Sequence, residues 1–156
     1  MGERLSLAIG QGAFVATPVQ VAVMIAAIAN GGLRVVPHVR RDAFQPPIPI
    51  NGIDPEFDRA LAVIRPALER VIADPRGTGH EHVYLPEIDI AGKTGTAQSG
   101  SVLGDHAWFA GYFPAKNPEF AIVVVLTHAG AGGHAAGSRA RELVKRMIEL
   151  GYFAQG

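Results

Sequence analysis

Ile88-Asp89-Ile90-Ala91-Gly92-Lys93-Thr94-Gly95-Thr96-Ala97-Gln98 opens as an alternating, strand-like run and passes directly into Lys-Thr-Gly-Thr. In an extended strand successive side chains point to opposite faces. Lys93 and Gly95 therefore share one face, and Thr94 and Thr96 share the other. Gly95 leaves one position without a side chain, so a ligand can lie against the backbone as an added strand. An ammonium, hydroxyls and edge amides together suit an anionic peptide end. The same four letters also arise by chance, and glycine followed by a polar residue usually marks a turn or bulge. The order of the surrounding elements decides between the two readings.

Composition narrows the field. The 156 residues are enough for one domain with a real core. Lys+Arg 14 against Asp+Glu 14 leaves no net charge, so neither a nucleic acid nor a polybasic membrane signal stands out. Hydrophobic residues make up 48% and charged ones only 18%, which predicts a surface normally covered by something else. With no cysteine, disulfides and thiolate metal sites are excluded. The most apolar run, Val19 to Ala29, is too short for a bilayer span, which needs about 20 residues. Any membrane anchor is expected outside this chain.

Working outward from the central strand, Ser6–Gly12 reads as a short extended segment closing in a glycine turn. Thr17-Pro18-Val19-Gln20 opens a helix with a hydroxyl N-cap and a first-turn proline. That helix stops at Asn30-Gly31-Gly32, and being apolar nearly all round it reads as buried. Gly32–Val39 reads as a short strand broken at Pro37, and Pro46, Pro47 and Pro49 as a loop. Asp54-Pro55-Glu56 caps a second helix, with a kink or break expected at Pro66. Asp74–Gly79 ends it, and a polar loop with His80 and His82 leads to the central strand.

After that strand, Gln98–Asp105 is a Gly/Ser turn and Ala107–Phe113 has strand composition. Lys116-Asn117-Pro118 is a turn, and Phe120–Thr127 a β-branched strand. Three strands with two tight turns predict an antiparallel meander. Gly130–Gly133 reads as a flexible turn into an amphipathic helix, Ser138–Leu150, with Leu143, Val144, Met147 and Ile148 inward. The predicted class is α+β, a three-stranded antiparallel sheet flanked by helices.

In this order the motifs resemble a family. Ile9-Gly10-Gln11-Gly12, Thr17-Pro18-Val19-Gln20 with Ala29-Asn30-Gly31-Gly32, Ala91–Gln98, and His106–Tyr112 follow one another over nearly the whole chain. The chain is similar to the C-terminal half of a penicillin-binding protein transpeptidase domain, most of all to class B enzymes of the cell-elongation type. The resemblance implies a partial serine β-lactamase/transpeptidase fold and a serine acyltransferase. Such an enzyme cleaves a D-Ala-D-Ala peptide through an acyl-serine and passes the acyl group to an amine, and β-lactams mimic its substrate. It works without a cofactor or metal, on the extracytoplasmic face of the bacterial inner membrane.

Three motifs build that family's site: Ser-x-x-Lys, Ser-x-Asn and Lys-Thr-Gly. Only the third is present. None of Ser6, Ser99, Ser101 and Ser138 has lysine three residues on. Ser138-Arg139-Ala140-Arg141 comes nearest, but a guanidinium is effectively never deprotonated and cannot serve as a base. By resemblance, Lys93 supplies positive charge, the Thr94 and Thr96 hydroxyls bind the substrate carboxylate, Gly95 leaves room for the ligand, and the Thr96 amide is an oxyanion donor.

The expected partners are a peptidoglycan stem peptide or β-lactam and the N-terminal half of the domain. In the family two further strands pair beside the last strand, so Phe120–Thr127 is expected to be a bare edge. A bare apolar edge predicts either a homodimer or swapped assembly that seals it, or a marginal, aggregation-prone monomer. Two other classes stay open: a non-catalytic peptide- or β-lactam-binding module, and an unrelated enzyme using Lys93 or the histidines. Trp108 and Phe109 on a central strand read as core. His80, His82, His106, His128 and His134 lack a carboxylate cluster and read as solvated loop histidines rather than a metal site.

Overall fold

The computed structural model describes residues 10, 15–50, 55–100 and 102–153. The Ser6–Gly12 segment, apart from Gly10, and Asp54 lie outside them. The architecture is α+β: a three-stranded antiparallel sheet in the order β3-β4-β5 with helices on both faces.

Helix α1 spans Pro18–Ala29. Thr17 caps it in a reciprocal box: the Gln20 N–H donates to Thr17 Oγ1 at 3.2 Å, and the Thr17 N–H donates to Gln20 Oε1 at 2.8 Å. Gly31 and Gly32 follow with φ of 83° and 99°. Only one side of α1 is covered. Ile25, Ala27 and Ala29 are buried, whereas Val19 and Met24 are 58% and 53% exposed, against the all-round burial its composition predicts.

The strand expected over Gly32–Val39 is reduced to β1, Leu33–Arg34, paired with β2, Ile48–Pro49. Pro37 on one side, and Pro46, Pro47 and Pro49 on the other, remove the donors that a longer ladder needs. Helix α2, Pro55–Ala73, runs unbroken through Pro66. Pro66 and Ala62, whose carbonyl loses its partner there, are both exposed, so that carbonyl is open to solvent and the helix is not split into two pieces. The polar stretch after it folds into a short helix, α3, His80–Val83, anchored by the fully buried Val83.

Strands β3 (Ala91–Ala97), β4 (His106–Phe113) and β5 (Phe120–Leu126) form the predicted meander. The register pairs Lys93 with Ala110, Thr94 with Phe109 and Gly95 with Trp108, then Phe109 with Val124. β3 begins at Ala91 rather than Ile88, because the Asp89 carbonyl accepts instead from Ala115 N–H in the β4–β5 turn at 2.8 Å. A π-helical turn, Gly133–Gly137, leads into α4, Ser138–Glu149. On α4 Ala140 and Val144 are buried and Met147 and Ile148 partly so. Leu143, expected inward, is 52% exposed because it shares a stripe with Arg139 and Arg146.

Sheet alternation sorts the core into two layers. Phe109, Phe113 and Ala107 pack with Ile72, Val83, Ala136, Ala140 and Val144 beneath α4. Ala91 and Tyr112 pack on the other face with Ile25, Ala29 and Ala115 under α1. The Tyr112 hydroxyl is sealed there with no hydrogen-bond partner among the described residues. Burial pushes its pKa above the usual phenol range, with Arg65 nearby pulling it part of the way back. An unsatisfied buried hydroxyl costs about 1–3 kcal/mol. Tyr112→Phe is therefore expected to raise stability by about 1 kcal/mol, read as a higher urea midpoint; a lower midpoint would show that the hydroxyl is satisfied.

Candidate functional site

Strand β3 is the first strand of its sheet, so among the described residues its outer edge pairs with no strand. The predicted alternation in burial appears at Lys93 and Thr94 but not at Thr96, which is exposed although Thr94 is buried. Lys93 is exposed, and Thr94, only 9% exposed, points into the layer beneath the π-helical turn. Lys93 Nζ donates to the Thr94 carbonyl at 2.6 Å and has no carboxylate partner among the described residues. Its charge therefore faces a cavity of about 580 Å³ bounded by the C-terminal half of α2 and the loop after it. Arg70, Asp74, Arg76 and Thr78 line that cavity with it.

The Asp74 carboxylate is held by Arg76, whose Nη2 lies 2.9 Å away and whose backbone N–H donates to it at 2.9 Å. The side-chain bonds from Arg76 hold the Asp74 carboxyl well below the usual carboxylate range. Arg70 and Lys93 then leave the cavity positively charged. Two other cavities, of about 500 and 480 Å³, lie beside α4 and along α2, and Lys93 lines neither.

Gly95 adopts an ordinary extended φ, and a Cβ there would meet only Trp108 Cβ at 3.5 Å. Among the described residues neither backbone nor packing calls for glycine at that position. What glycine does there is keep the Lys93 face of the strand open. Trp108 is half-buried beside it, while Phe109 on the opposite face is fully buried core.

Thr96 is held from below. The Gly132 N–H donates to Thr96 Oγ1 at 3.2 Å. A Cβ on Gly132 would lie 1.9 Å from the Gly95 carbonyl oxygen and 2.8 Å from that of Trp108. Within the segment read as a flexible turn, Gly132 is thus a buried brace under the candidate strand, while Gly130 and Ala131 are exposed. A Gly-Gly pair before a helix reads as punctuation in sequence; its close approach to a strand 36 residues away is visible only in three dimensions.

The histidines pair across the fold in ways that spacing does not show. His106 and His128 have ring centroids 4.7 Å apart, and His82 and His134 5.3 Å. His106 Nδ1 accepts from the His128 N–H, and His80 Nδ1 donates to the Ile72 carbonyl at 2.8 Å. Among the described residues no three histidines or carboxylates gather as a metal site would require. Ser99 Oγ donates to the Gly104 carbonyl, and Ser138 begins α4.

Residues 2–148 match the family model of the penicillin binding protein transpeptidase domain. The chain belongs to that family. Penicillin-binding transpeptidases of known sequence align along most of it. The Acinetobacter baumannii peptidoglycan D,D-transpeptidase MrdA is 38% identical over 86% of this chain and 23% of its own length. MrdA of Haemophilus influenzae is 30% identical over 92% of this chain and 25% of its own. The chain thus spans about a quarter of the length of these relatives. Among solved structures, the Helicobacter pylori penicillin-binding protein PBP2 in complex with MreC covers 97% of this chain with 28% of its own. Its TM-score is 0.87 at 31% identity. Pseudomonas aeruginosa PBP2 covers 99% of this chain with 34% of its own, at a TM-score of 0.73 and 34% identity.

Two glycines around Lys-Thr-Gly-Thr are expected to respond in opposite ways. Gly132→Ala forces the brace off the strand and should cost about 1–3 kcal/mol in urea unfolding. Gly95→Ala should leave the midpoint within about 0.5 kcal/mol. Equal effects of the two changes would contradict this division.

Proposed function

We propose that this chain is the Lys-Thr-Gly-bearing part of a peptidoglycan D,D-transpeptidase of the elongation-type class B family, working on the extracytoplasmic face of the inner membrane. The observation that carries the reading is the open face of β3. Among the described residues no packing requires Gly95, and beside it Lys93, with no carboxylate partner among them, lines a cavity. The relatives named D,D-transpeptidase align across this same strand.

In this reading a D-Ala-D-Ala stem peptide, or a β-lactam in its place, lies along the outer edge of β3 as an added strand. Lys93 and the Thr94 and Thr96 hydroxyls hold its terminal carboxylate, and the Thr96 backbone N–H supplies one oxyanion donor. Losing such a donor typically costs about 10²–10³ in rate. The nucleophilic serine attacks the penultimate alanine carbonyl, the terminal D-alanine leaves as the amine, and an amine of a neighbouring strand then takes the acyl group and restores the serine. That serine and its lysine base belong to the N-terminal part of the domain, since no Ser-x-x-Lys occurs among the 156 residues. The isolated chain is accordingly a binding half without a nucleophile. No metal or cofactor takes part. A partner of the MreC kind is carried over from the H. pylori complex.

Two measurements test this. Incubated with a fluorescent penicillin, the chain as given should gain no mass; a stoichiometric adduct would make one of its own serines the nucleophile. In the protein at its full natural length, Lys93→Ala should lower the acylation rate constant about 10–100-fold, as the loss of a charged hydrogen bond predicts, with the fold intact. Wild-type acylation in that variant would overturn the role given to β3.

A second reading, a homodimer, is favoured by the position of β5 at the end of the sheet, with no further strand beside it among the described residues. Its side chains, Phe120 to Leu126, are mostly half-covered. In the whole domain that edge takes strands from the N-terminal part; in the chain alone it pairs with a second copy. Light scattering behind a sizing column should show dimers or larger species at high concentration. A sharp monomer peak with a cooperative melt would remove this reading.

A further inference from the structure

The loop joining α2 to α3 is built more tightly than a helix end requires. Asp74 is gripped by Arg76, the Gly77 N–H donates to the Asp74 carbonyl at 2.7 Å, and the Gly79 N–H donates to the Val71 carbonyl at 3.1 Å. Gly77 meets backbone and leaves no room for a side chain, whereas a side chain at Gly79 would displace the end of Ile72. A Cβ at Gly77 would lie 2.2 Å from the Val71 carbonyl oxygen, and one at Gly79 2.4 Å from Ile72 Cδ1. Neither has a positive φ, so the glycines are there for closeness rather than for turn geometry. Between them Thr78 is presented to β3, where its Oγ1 lies 3.1 Å from Thr94 Oγ1.

We infer that Thr78 belongs to the carboxylate site: Thr78 and Thr94 act as a hydroxyl pair that presents one proton to a carboxylate drawn in by Lys93. The inference rests on the reading of β3 as the strand that binds the substrate carboxylate. Two hydroxyls carry two protons, and their mutual bond uses one. The other proton is left for an acceptor outside the pair, since neither hydroxyl has a further side-chain partner among the described residues. Thr94 alone is nearly buried, whereas Thr78 is exposed and lines the same cavity as Lys93. The Asp74 charge is taken up by Arg76, so it does not repel an incoming carboxylate. Arg70 adds a second cation on the cavity wall. The ligand class is a peptide or peptide mimic ending in a free carboxylate.

The test uses the protein at its full natural length, with Thr78→Val, Thr78→Ser and Lys93→Ala, against a penicillin and its methyl ester. A hydrogen bond to a charged group contributes enough for about a tenfold effect. Thr78→Val should lower acylation by the acid about tenfold and leave the ester unchanged, so the acid-to-ester preference falls by the same factor. Thr78→Ser should retain the wild-type preference. A Thr78→Val protein that reacts like wild type with the acid overturns the inference. So does one that loses acid and ester reactivity alike, because that pattern reports a structural role. If Lys93→Ala leaves the acid reaction unchanged, the reading of β3 itself fails, whatever Thr78 does.

Discussion

The backbone of Gly132 lies so close to the carbonyls of Gly95 and Trp108 that no side chain fits between them. That contact fixes the height of the π-helical turn over the sheet, and through it the seat of α4. It also fixes β3. The strand is an edge, and an edge with one neighbour is free to twist or slip. Here the slip is opposed on three sides: by the ladder to β4, by the Gly132 N–H on Thr96, and by Thr78 on Thr94. If the edge receives a ligand, as proposed, such support from the closed side holds the strand in place before the ligand's own hydrogen bonds form.

What could be read from sequence and what could not follow from the range of the interactions involved. The meander and the last helix were legible because period-2 and period-3.6 patterns are local. The end of α1 was legible because Asn30-Gly31-Gly32 is a chemical stop. Lys93, Thr94, Gly95 and Thr96 were legible as a group because four consecutive residues carry the charge, the hydroxyls and the missing side chain. Thr78 and Gly132 were not. Their neighbours in sequence are turn-formers, and their partners lie 16 and 36 residues away. Asp74–Gly79 has the composition of a helix terminus and does end one, so nothing in it asks for a second explanation. The continuous α2 was missed for a different reason. Proline costs a helix most where the freed carbonyl is buried, and exposure of Ala62 and Pro66 is a tertiary fact.

The excess of apolar residues has a structural location. Val19 and Met24 on α1, Leu143 and Leu150 on α4, and the β5 edge are incompletely covered, whereas the two layers against the sheet are closed by Phe109, Tyr112 and Phe113. Isolated exposed apolar side chains are ordinary. An apolar helix with one uncovered side, on a domain whose relatives are about four times as long, is more specific. It fits a segment that completes its surface against other parts of a longer polypeptide.

The same incompleteness shapes the chemistry. Acyl transfer needs a nucleophile, a base that can release and accept a proton near neutral pH, and donors for the oxyanion. Strand β3 offers the Lys93 amine, two threonine hydroxyls and backbone amides, groups suited to binding. Arg141, three residues after Ser138, cannot be a base. In the proposed reading, binding and proton transfer therefore fall to different stretches of a longer polypeptide. Such a division has a physical merit. Gly132 and Thr78 can hold β3 rigid, and a nucleophile and base on another stretch, as proposed, would be free to shift as an acyl intermediate forms and breaks down.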